Sequence, residues 1–143
     1  MLVKSAADMR KFALGVAKNM RGGEVLLLTG PLGAGKTTFV QGLAKALGTE
    51  EQITSPTFTV VGEYNLYDDL TLVHVDLYRL GGDAPSDPAV RDVLERMSGK
   101  NIITVIEWAE YLPVKSLRDH GVKAQHIFFE YGGAIDERVV TVE

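Results

Sequence analysis

The sequence predicts an α/β fold in which a mixed sheet, parallel at its centre and antiparallel at its edges, lies between two layers of helices. Two continuous apolar runs, at residues 25–28 and 102–106, have the composition of strands that are buried on both faces, as in a parallel sheet. Segments rich in β-branched and aromatic residues, at 57–77 and 127–142, are typical of antiparallel strands. Helical patterns alternate with these segments and supply the outer layers.

The N-terminal part of the chain predicts a helix, a buried strand and a second helix. Ser5 followed by Asp8 resembles a capping box, and apolar residues at positions 9, 12, 16 and 20 continue the helical spacing as far as the glycines at 22 and 23. After the strand at 25–28, apolar residues at 39, 40, 43, 44 and 47 predict the second helix, which Gly48 closes.

Turn and cap residues delimit the remaining elements. Asp68-Asp69 is a plausible turn between strands at 57–67 and 70–77, which predicts an antiparallel hairpin. Asp87-Pro88 resembles an N-cap with proline at the first helical position. The other expected segments are loops at 49–56 and 81–86, a helix end at Gly99, a strand at 102–106, a short helix at 114–120, and strands at 127–131 and 140–142 joined by a turn at Gly132-Gly133.

Composition predicts one domain, residues 1–143, in the cytoplasm. With 45% hydrophobic and 24% charged residues, the chain resembles an ordinary globular protein that is long enough to bury a core. The absence of cysteine excludes disulfides and thiolate metal sites and fits a reducing compartment. No apolar run is long enough to cross a membrane, and the N-terminus does not resemble a secretory signal. The net charge of −4, with Lys and Arg scattered, disfavours direct nucleic-acid binding.

The stretch GPLGAGKTT, residues 30–38, contains the G-x4-G-K-[ST] pattern of a phosphate-binding loop, here called the P-loop. It lies between a buried strand and an amphipathic helix, where such a loop belongs. Its glycines let backbone N–H groups approach phosphate oxygens, and the positive end of the following helix points at the same anion. Lys36 adds a mobile charge for the β- and γ-phosphates, and the Thr37 hydroxyl is placed to bind Mg²⁺.

The P-loop predicts a P-loop NTPase-like three-layer sandwich that binds a nucleoside triphosphate. An accidental glycine-rich turn is disfavoured, because a strand and a helix flank the motif as the function requires. The loop residues expected to contact the nucleotide are Gly30, Pro31, Leu32, Gly33, Ala34, Gly35, Lys36, Thr37 and Thr38.

Two carboxylates are candidates for completing this site, since a P-loop needs acidic side chains for the metal and the attacking water. Glu107 follows the apolar run at 102–106, so its side chain is expected at the carboxyl edge of the sheet, where ligands bind in open α/β sheets. Asp76 ends the alternating run LTLVHV and can reach the same edge. Which carboxylate binds the metal and which orders water stays open, as does a simple solvent-exposed position for either.

Three further residues near these candidates have two interpretations each. Thr57, in the loop after the P-loop helix, fits a switch threonine that senses the γ-phosphate, and equally an ordinary threonine at the start of a strand. Trp108 beside Glu107 is interpreted as filling core rather than stacking on a ligand. Arg79 is interpreted as a surface salt-bridge residue rather than a group that stabilises transferred charge.

The three histidines do not predict a metal centre. His74 alternates with Asp76 and is interpreted as a packed strand histidine rather than a ligand. His120 and His126 are six positions apart and do not form a metal-ligand spacing. The sequence therefore predicts no zinc site.

Four blocks of sequence together resemble one known family. GPLGAGKTTFVQGLAKALG, SPTFTVVGEY, HVDLYRL and VIEW, in this order and distributed over residues 30–108, are similar to the TsaE (YjeE) family, and weaker similarity extends to both ends. The P-loop alone is generic, whereas SPTFT with DLYRL and IEW is specific. Residues 81–101 match poorly, and Pro31 and Met9 stand where family members commonly have Asp and usually have Thr.

The resemblance implies a P-loop ATPase of bacterial threonylcarbamoyladenosine (t⁶A) tRNA modification, with ATP and Mg²⁺ as cofactors. By position, Lys36 and Thr37 would serve the phosphates and the metal, Thr57 the switch loop, and Asp76 and Glu107 the magnesium and water; Trp108 also becomes a functional candidate. Family members work with the TsaB–TsaD pair, which transfers the threonylcarbamoyl group to adenosine 37 of tRNA. ATP hydrolysis would reset that complex, and tRNA would be reached only through it.

Other P-loop activities are less consistent with the sequence. A small-molecule kinase usually has a mobile lid with phosphate-clamping arginines, but the chain has only seven arginines and no arginine-rich insert. A GTPase should show an [NT]-K-x-D guanine reader and a D-x-x-G switch, and neither occurs. A regulatory subunit that binds nucleotide with little hydrolysis stays open as an alternative.

Overall fold

The structure is a computed structural model that describes residues 1–118, 122 and 124–143. Its α-helices are α1 (Ala6–Ala17), α2 (Lys36–Ala46), α3 (Pro88–Arg96) and α4 (Val114–Arg118). Its strands are β1 (Leu2–Val3), β2 (Val25–Thr29), β3 (Val61–Asn65), β4 (Thr71–Asp76), β5 (Ile102–Glu107), β6 (Ala124–Tyr131) and β7 (Arg138–Val142). Short 3₁₀ helices lie at Tyr67–Asp69, Gly81–Ser86 and Ala109–Tyr111.

All strands of the described chain belong to one sheet, whose order is β1-β7-β6-β2-β5-β4-β3. The four central strands, β6, β2, β5 and β4, are parallel, and the outer pairs β1–β7, β7–β6 and β4–β3 are antiparallel. The predicted mixed sheet with a parallel centre is therefore confirmed. Since β2, β4 and β5 are parallel neighbours, their carboxyl ends lie at the same edge.

Helices cover both faces of this sheet, as the three-layer prediction requires. Leu26 and Leu28 of β2 pack into a core that contains residues of α1 and α2, while Val25 and Leu27 belong to a second core with residues of α3. The alternation of side chains along a strand explains why one continuous apolar run serves two cores.

The helix that follows the P-loop is anchored to the sheet by aromatic packing. Phe39 of α2 is fully buried, and its ring lies 5.5 Å from that of Phe12 in α1 and 5.7 Å from that of Phe129 in β6. Edge-to-face and tilted aromatic pairs of this kind add to the stabilisation that burial alone provides. Phe39 therefore links both helices of one layer to the sheet.

The first helix ends earlier than predicted. Ser5 caps α1 as expected, since its hydroxyl accepts from the backbone N–H of Asp8 at 3.0 Å. The helix nevertheless ends at Ala17 rather than near the glycines at 22 and 23, although the side chain of Met20 is buried as the periodicity indicated. The helix ends in i→i+3 hydrogen bonds, from Asn19 N to Val16 O at 3.4 Å and from Met20 N to Ala17 O at 3.1 Å. The Arg21 guanidinium then donates to the carbonyls of Lys18 and Met20, which follow the helix.

The predicted hairpin at 57–77 is present, but its first strand starts later than expected. β3 begins at Val61, because the preceding residues form a turn closed by a hydrogen bond from Val60 N to Pro56 O at 2.6 Å. Val60 has a φ of 69°, which is a rare conformation for a β-branched residue and could not be predicted from composition.

The other differences between the predicted elements and the structure are small. Residues 81–86, expected as a loop, form a 3₁₀ helix whose Ala84 is buried in the second core, and the strand β1 was not predicted. The short helix α4 starts where expected, but its predicted end at His120 lies outside the described residues. No helix in the described part of the chain is long and apolar enough to cross a membrane.

We predict that Phe39→Ala lowers the free energy of unfolding by about 3–5 kcal/mol, because it removes a fully buried ring from between two helices and the sheet. Chemical denaturation followed by circular dichroism measures this change. Leu14→Ala is the control, since Leu14 is 47% exposed on α1 and its truncation should cost no more than about 0.5 kcal/mol. Equal losses of unfolding free energy in the two variants would show that Phe39 does not anchor α2 to the sheet.

Candidate nucleotide-binding site

The P-loop connects the end of β2 to the start of α2, and its backbone is shaped by glycine at two positions. A side chain at Gly30 would put a Cβ atom 2.4 Å from the carbonyl oxygen of Phe129, so β6 leaves no room for one. Gly35 has a φ of 101° and is the residue from which α2 starts, without a capping side chain. Because glycine has no side chain, Gly35 does not cap the N–H groups in the first turn of α2. Such N–H groups are available to bind an anion.

Lys36 is folded into the P-loop. The side chain is buried, and its ammonium donates to the carbonyl oxygens of Gly30 and Pro31 and lies 3.6 Å from the ring centroid of Trp108. Burial lowers the pKa of Lys36, while the carboxylates of Glu107, Glu110 and Asp76 act in the opposite direction. The ammonium is thus held by neutral acceptors. A charged phosphate oxygen would bind the ammonium more strongly than these carbonyl oxygens do.

Glu107 ends β5 beside the P-loop. Its backbone pairs with that of Leu28 in β2, and its side chain is almost fully buried. Oε1 accepts a hydrogen bond from the Thr37 hydroxyl at 3.3 Å, and Oε2 lies 2.5 Å from Nε2 of His74. Glu107 therefore lies at the carboxyl edge of the sheet beside the P-loop, as expected, and the alternative of a solvent-exposed carboxylate does not apply to it. Its contact with Thr37 was not predicted from the sequence.

Asp76 occupies the equivalent end of β4 and pairs with Glu107 in the sheet. It is 4% exposed, and Oδ2 accepts from the hydroxyls of Ser55 at 2.8 Å and Thr57 at 3.2 Å. Its other oxygen, Oδ1, accepts from the backbone N–H of Tyr78 at 2.9 Å. The two carboxylates thus lie side by side, as predicted, but each has a different set of partners.

The loop before β3 is fastened to the site through hydroxyl groups. Ser55 and Thr57 are 3.0 Å apart through their hydroxyl oxygens, and both donate to Asp76. Sequence reasoning selected Thr57 and missed Ser55, although a second hydroxyl two positions away in the same loop was the available signal. The structure places Thr57 at the cleft rather than in a regular strand.

Trp108 combines both interpretations that the sequence left open. Its ring is partly buried against the second core and lies 4.9 Å from the ring of Tyr78 and 6.2 Å from that of Tyr111. It also lies against the Lys36 ammonium, so core filling alone is an incomplete account. Its backbone is left-handed, with a φ of 59°, which is uncommon for a bulky residue and is often found at functional sites.

These side chains surround a cavity of about 230 Å³ at the carboxyl edge of the sheet. Its lining residues are Leu32, Gly33, Gly35, Lys36, Thr37, Thr38, Ser55, Thr57, Asp76, Tyr78, Glu107 and Trp108. Of the predicted contact residues, Gly30, Pro31 and Ala34 are not among them; Ala34 is buried and its N–H donates to the Pro31 carbonyl at 3.2 Å. Arg79 is exposed and does not line the described cavity either.

A second cavity, of about 380 Å³, borders the other side of the P-loop. It shares Gly33, Gly35 and Thr38 with the first cavity, and its remaining lining comes from the end of β1, the first half of α1 and the start of β7, with the residues just before α1 and β7. The remaining lining residues are Val3, Lys4, Ser5, Ala6, Met9, Asp136 and Arg138. The two cavities therefore meet at the three shared residues, which belong to the P-loop and α2.

The acidic and hydroxyl groups of the first cavity fit a magnesium ion. Thr37, Asp76 and Glu107 supply oxygen atoms, which are the ligands that Mg²⁺ prefers, and no thiolate or imidazole is among them. His74 Nε2 is occupied by Glu107, and His126 instead contacts the Thr29 hydroxyl at 2.7 Å, while burial lowers its pKa. His120 lies outside the described residues.

Comparison with known proteins now identifies the family. Residues 3–134 match the profile described as "Threonylcarbamoyl adenosine biosynthesis protein TsaE". The chain belongs to the TsaE family. The family resemblance drawn from four sequence blocks is therefore confirmed.

Individual relatives agree with this assignment. Two relatives are each named tRNA threonylcarbamoyladenosine biosynthesis protein TsaE. The relative from Streptomyces coelicolor is 40% identical to this chain, over 71% of this chain and 68% of the relative. The relative from Nostoc sp. is 43% identical, over 70% of this chain and 61% of the relative. The chain thus spans about two thirds of the length of these curated relatives. A crystal structure of Bacillus subtilis YdiB superposes with a TM-score of 0.70 at 31% identity, covering 99% of this chain and 82% of that one.

The P-loop of this TsaE-family chain is also held from outside by the β6–β7 hairpin. Tyr131 and Arg138 are paired across the hairpin; the Tyr131 hydroxyl donates to the carbonyl of Leu32, and the Arg138 guanidinium donates to that of Gly33 at 3.1 and 3.2 Å. Because a peptide group is planar, fixing a carbonyl also fixes the N–H on its opposite side. Sequence reasoning missed both residues, which are about a hundred positions from the loop.

We predict that Arg138→Ala and Tyr131→Phe each raise the Kd for ATP by about 2- to 10-fold, since each removes hydrogen bonds that orient the P-loop backbone. Isothermal titration calorimetry measures the change. Tyr67→Phe is the matched control, because Tyr67 is 67% exposed and its backbone, rather than its hydroxyl, contacts Leu47. An unchanged Kd in both hairpin variants would show that the loop does not need this support.

Proposed function

We propose that this TsaE-family chain binds Mg-ATP at the P-loop and hydrolyses it as a subunit of the t⁶A tRNA-modification machinery. The observation that carries the proposal is the meeting of Asp76 and Glu107, from adjacent parallel strands, with Lys36 and Thr37 in one cavity. Relatives are named for t⁶A biosynthesis, which supports the pathway. Positioned phosphates, a charged lysine and strand-end carboxylates are the parts that P-loop hydrolases share.

Binding is proposed to divide the nucleotide between the two cavities. The phosphates would lie in the first cavity against the P-loop and the N-terminus of α2, where dipole and N–H groups favour anions. Lys36 would exchange its carbonyl partners for phosphate oxygens. The nucleoside would extend into the second cavity, between α1 and β7.

We propose that Thr37, Glu107 and Asp76 share the work around the metal and the water. When bound, Mg²⁺ would neutralise charge on the β- and γ-phosphates. Thr37 and Glu107 already contact one another and are assigned to hold it. Asp76, joined to Ser55 and Thr57, is assigned to orient the attacking water and to link it to the loop before β3.

The exposed apolar residues near the cleft support the proposal that another protein binds there. Apolar side chains are exposed at Leu32, Phe58 and Tyr78 (64%, 81% and 46%), and Tyr131 and Ile135 extend this surface along the β6–β7 hairpin. Exposed apolar residues of this kind are typical of protein–protein contacts. We propose that the TsaB–TsaD pair contacts the rim of the cleft.

We also propose that the protein acts in the cytoplasm. Residues 1–143 would act as one domain, whose rate of ATP hydrolysis is slow until the partner binds.

We predict slow Mg-dependent ATP hydrolysis by the isolated protein and stimulation by TsaB–TsaD from the same source, because a partner can add transition-state contacts worth roughly 10³-fold or more in such enzymes. Phosphate release measures both rates. Glu107→Gln should remove the hydrolysis while ATP still binds, since the substitution keeps the size of the side chain and loses its charge.

Arg91→Gln provides the control, because Arg91 is exposed on α3, away from the described cavities. ATP binding without hydrolysis, with or without TsaB–TsaD, would contradict the ATPase proposal and favour a regulatory nucleotide-binding subunit. Fast hydrolysis by the isolated protein would contradict the need for a partner.

A further inference from the structure

His74 is a fully buried polar side chain to which the proposed function gives no role. It lies in the middle of β4, where its backbone pairs with that of Val105 in β5. Since side chains two positions apart share a face of the sheet, His74 points to the same side as Asp76 and lies diagonally across from Glu107. Its Nε2 is 2.5 Å from Glu107 Oε2.

The two oxygens of Glu107 therefore have separate partners. Oε1 faces the P-loop and accepts from Thr37, whereas Oε2 faces the sheet and contacts His74. A carboxylate held at one oxygen loses its freedom to rotate about its terminal torsion, which otherwise has a broad energy well. The contact with His74 thus fixes which oxygen of Glu107 is presented to the cleft.

The other ring nitrogen shows that this contact is the reason for a histidine at the position. His74 Nδ1 is buried and has no hydrogen-bond partner among the described residues. An unpaired buried polar atom is unfavourable, and an apolar residue would fill the same space without it. Among the described residues, the imidazole is therefore best explained by its hydrogen bond to Glu107, in which Nε2 donates because a carboxylate oxygen accepts.

We propose that His74 is a positioning residue for the nucleotide site: by donating from Nε2 to Glu107 Oε2, it holds Oε1 toward Thr37 and the metal. This inference rests on the proposed function of the cleft. It assigns His74 no contact with ATP, the metal or water. Residues that orient metal-binding side chains in this way typically change metal affinity or activity about 10- to 100-fold when they are removed.

Three variants separate positioning from packing. His74→Leu removes the N–H donor to Glu107 and places an apolar side chain in the space of the imidazole. His74→Gln retains an N–H donor at a similar distance from the backbone and should rescue the function. Thr104→Val is the matched control, because Thr104 lies on neighbouring β5 and its buried hydroxyl also has no hydrogen-bond partner among the described residues. Three positions before Glu107, its side chain points to the opposite face of the sheet, and its backbone partners Val25 and Val73 do not line the first cavity.

We expect His74→Leu to lower kcat for ATP hydrolysis about 10- to 100-fold, with His74→Gln losing much less and Thr104→Val unchanged. A second readout does not depend on turnover: the Kd of a non-hydrolysable ATP analogue, measured with Mg²⁺ and with EDTA. His74→Leu should weaken binding in Mg²⁺ and leave binding in EDTA unchanged. In a Glu107→Gln background, His74→Leu should add little further loss, because its target is already altered.

The outcomes distinguish this inference from the function on which it rests. A wild-type protein that neither binds nor hydrolyses Mg-ATP overturns both. An active wild-type protein, with His74→Leu indistinguishable from Thr104→Val, overturns only the positioning role. Equal weakening of binding in Mg²⁺ and EDTA, or no rescue by His74→Gln, would also overturn it, because either result indicates general damage to the core.

Discussion

The parallel pairing of β2, β5 and β4 is the constraint on which the site depends. The backbone of Glu107 pairs with Leu28 on one side and with Asp76 on the other, so one row of the sheet brings the strand before the P-loop beside both carboxylates. A shift of one residue in either pairing would turn a carboxylate to the opposite face of the sheet. Buried apolar residues on both faces of these strands make such a shift costly, because it would move the side chains of two cores at once.

Each charged group of the cleft already has partners within the protein. Lys36 is held by loop carbonyls and Trp108, Glu107 by Thr37 and His74, and Asp76 by two hydroxyls and a backbone amide. Few of these side chains need to be ordered when a nucleotide arrives, and preorganisation reduces the entropic cost of binding. Lys36 is the exception, because its burial lowers its pKa and its present acceptors are neutral. Nucleotide binding is therefore expected to change the position of Lys36 more than that of either carboxylate.

The elements and the main participants of the site could be predicted from local patterns. The runs at 25–28 and 102–106, the P-loop motif, and acidic residues at the ends of two runs determine the sheet centre, the loop and the position of Asp76 and Glu107. Each of these signals lies within a few consecutive residues. The same is true of Asp87, whose carboxylate caps α3 as its position before Pro88 predicts.

What could not be predicted depends on contacts between distant parts of the chain or on unusual backbone. His74 contacts Glu107 across 33 positions, and Tyr131 contacts the P-loop across 99, so no local spacing indicates either pair. The end of α1 at Ala17 was not predicted either, because the backbone changes there to i→i+3 hydrogen bonds although the apolar pattern continues to Met20. The left-handed backbone at Val60 and Trp108 opposes the preferences of both residues, and tertiary contacts overcome those preferences.

A crystal structure with Mg²⁺ and a non-hydrolysable ATP analogue would show whether this cleft binds the nucleotide as proposed. We expect the phosphates to lie against the P-loop, with the Lys36 ammonium moved from the Gly30 carbonyl and the Trp108 ring onto a phosphate oxygen, and the metal to lie beside Thr37 and Glu107. Glu107 should keep its contact with His74. A nucleotide bound away from the P-loop, or phosphates at the loop with the metal distant from both carboxylates, would contradict the proposed site.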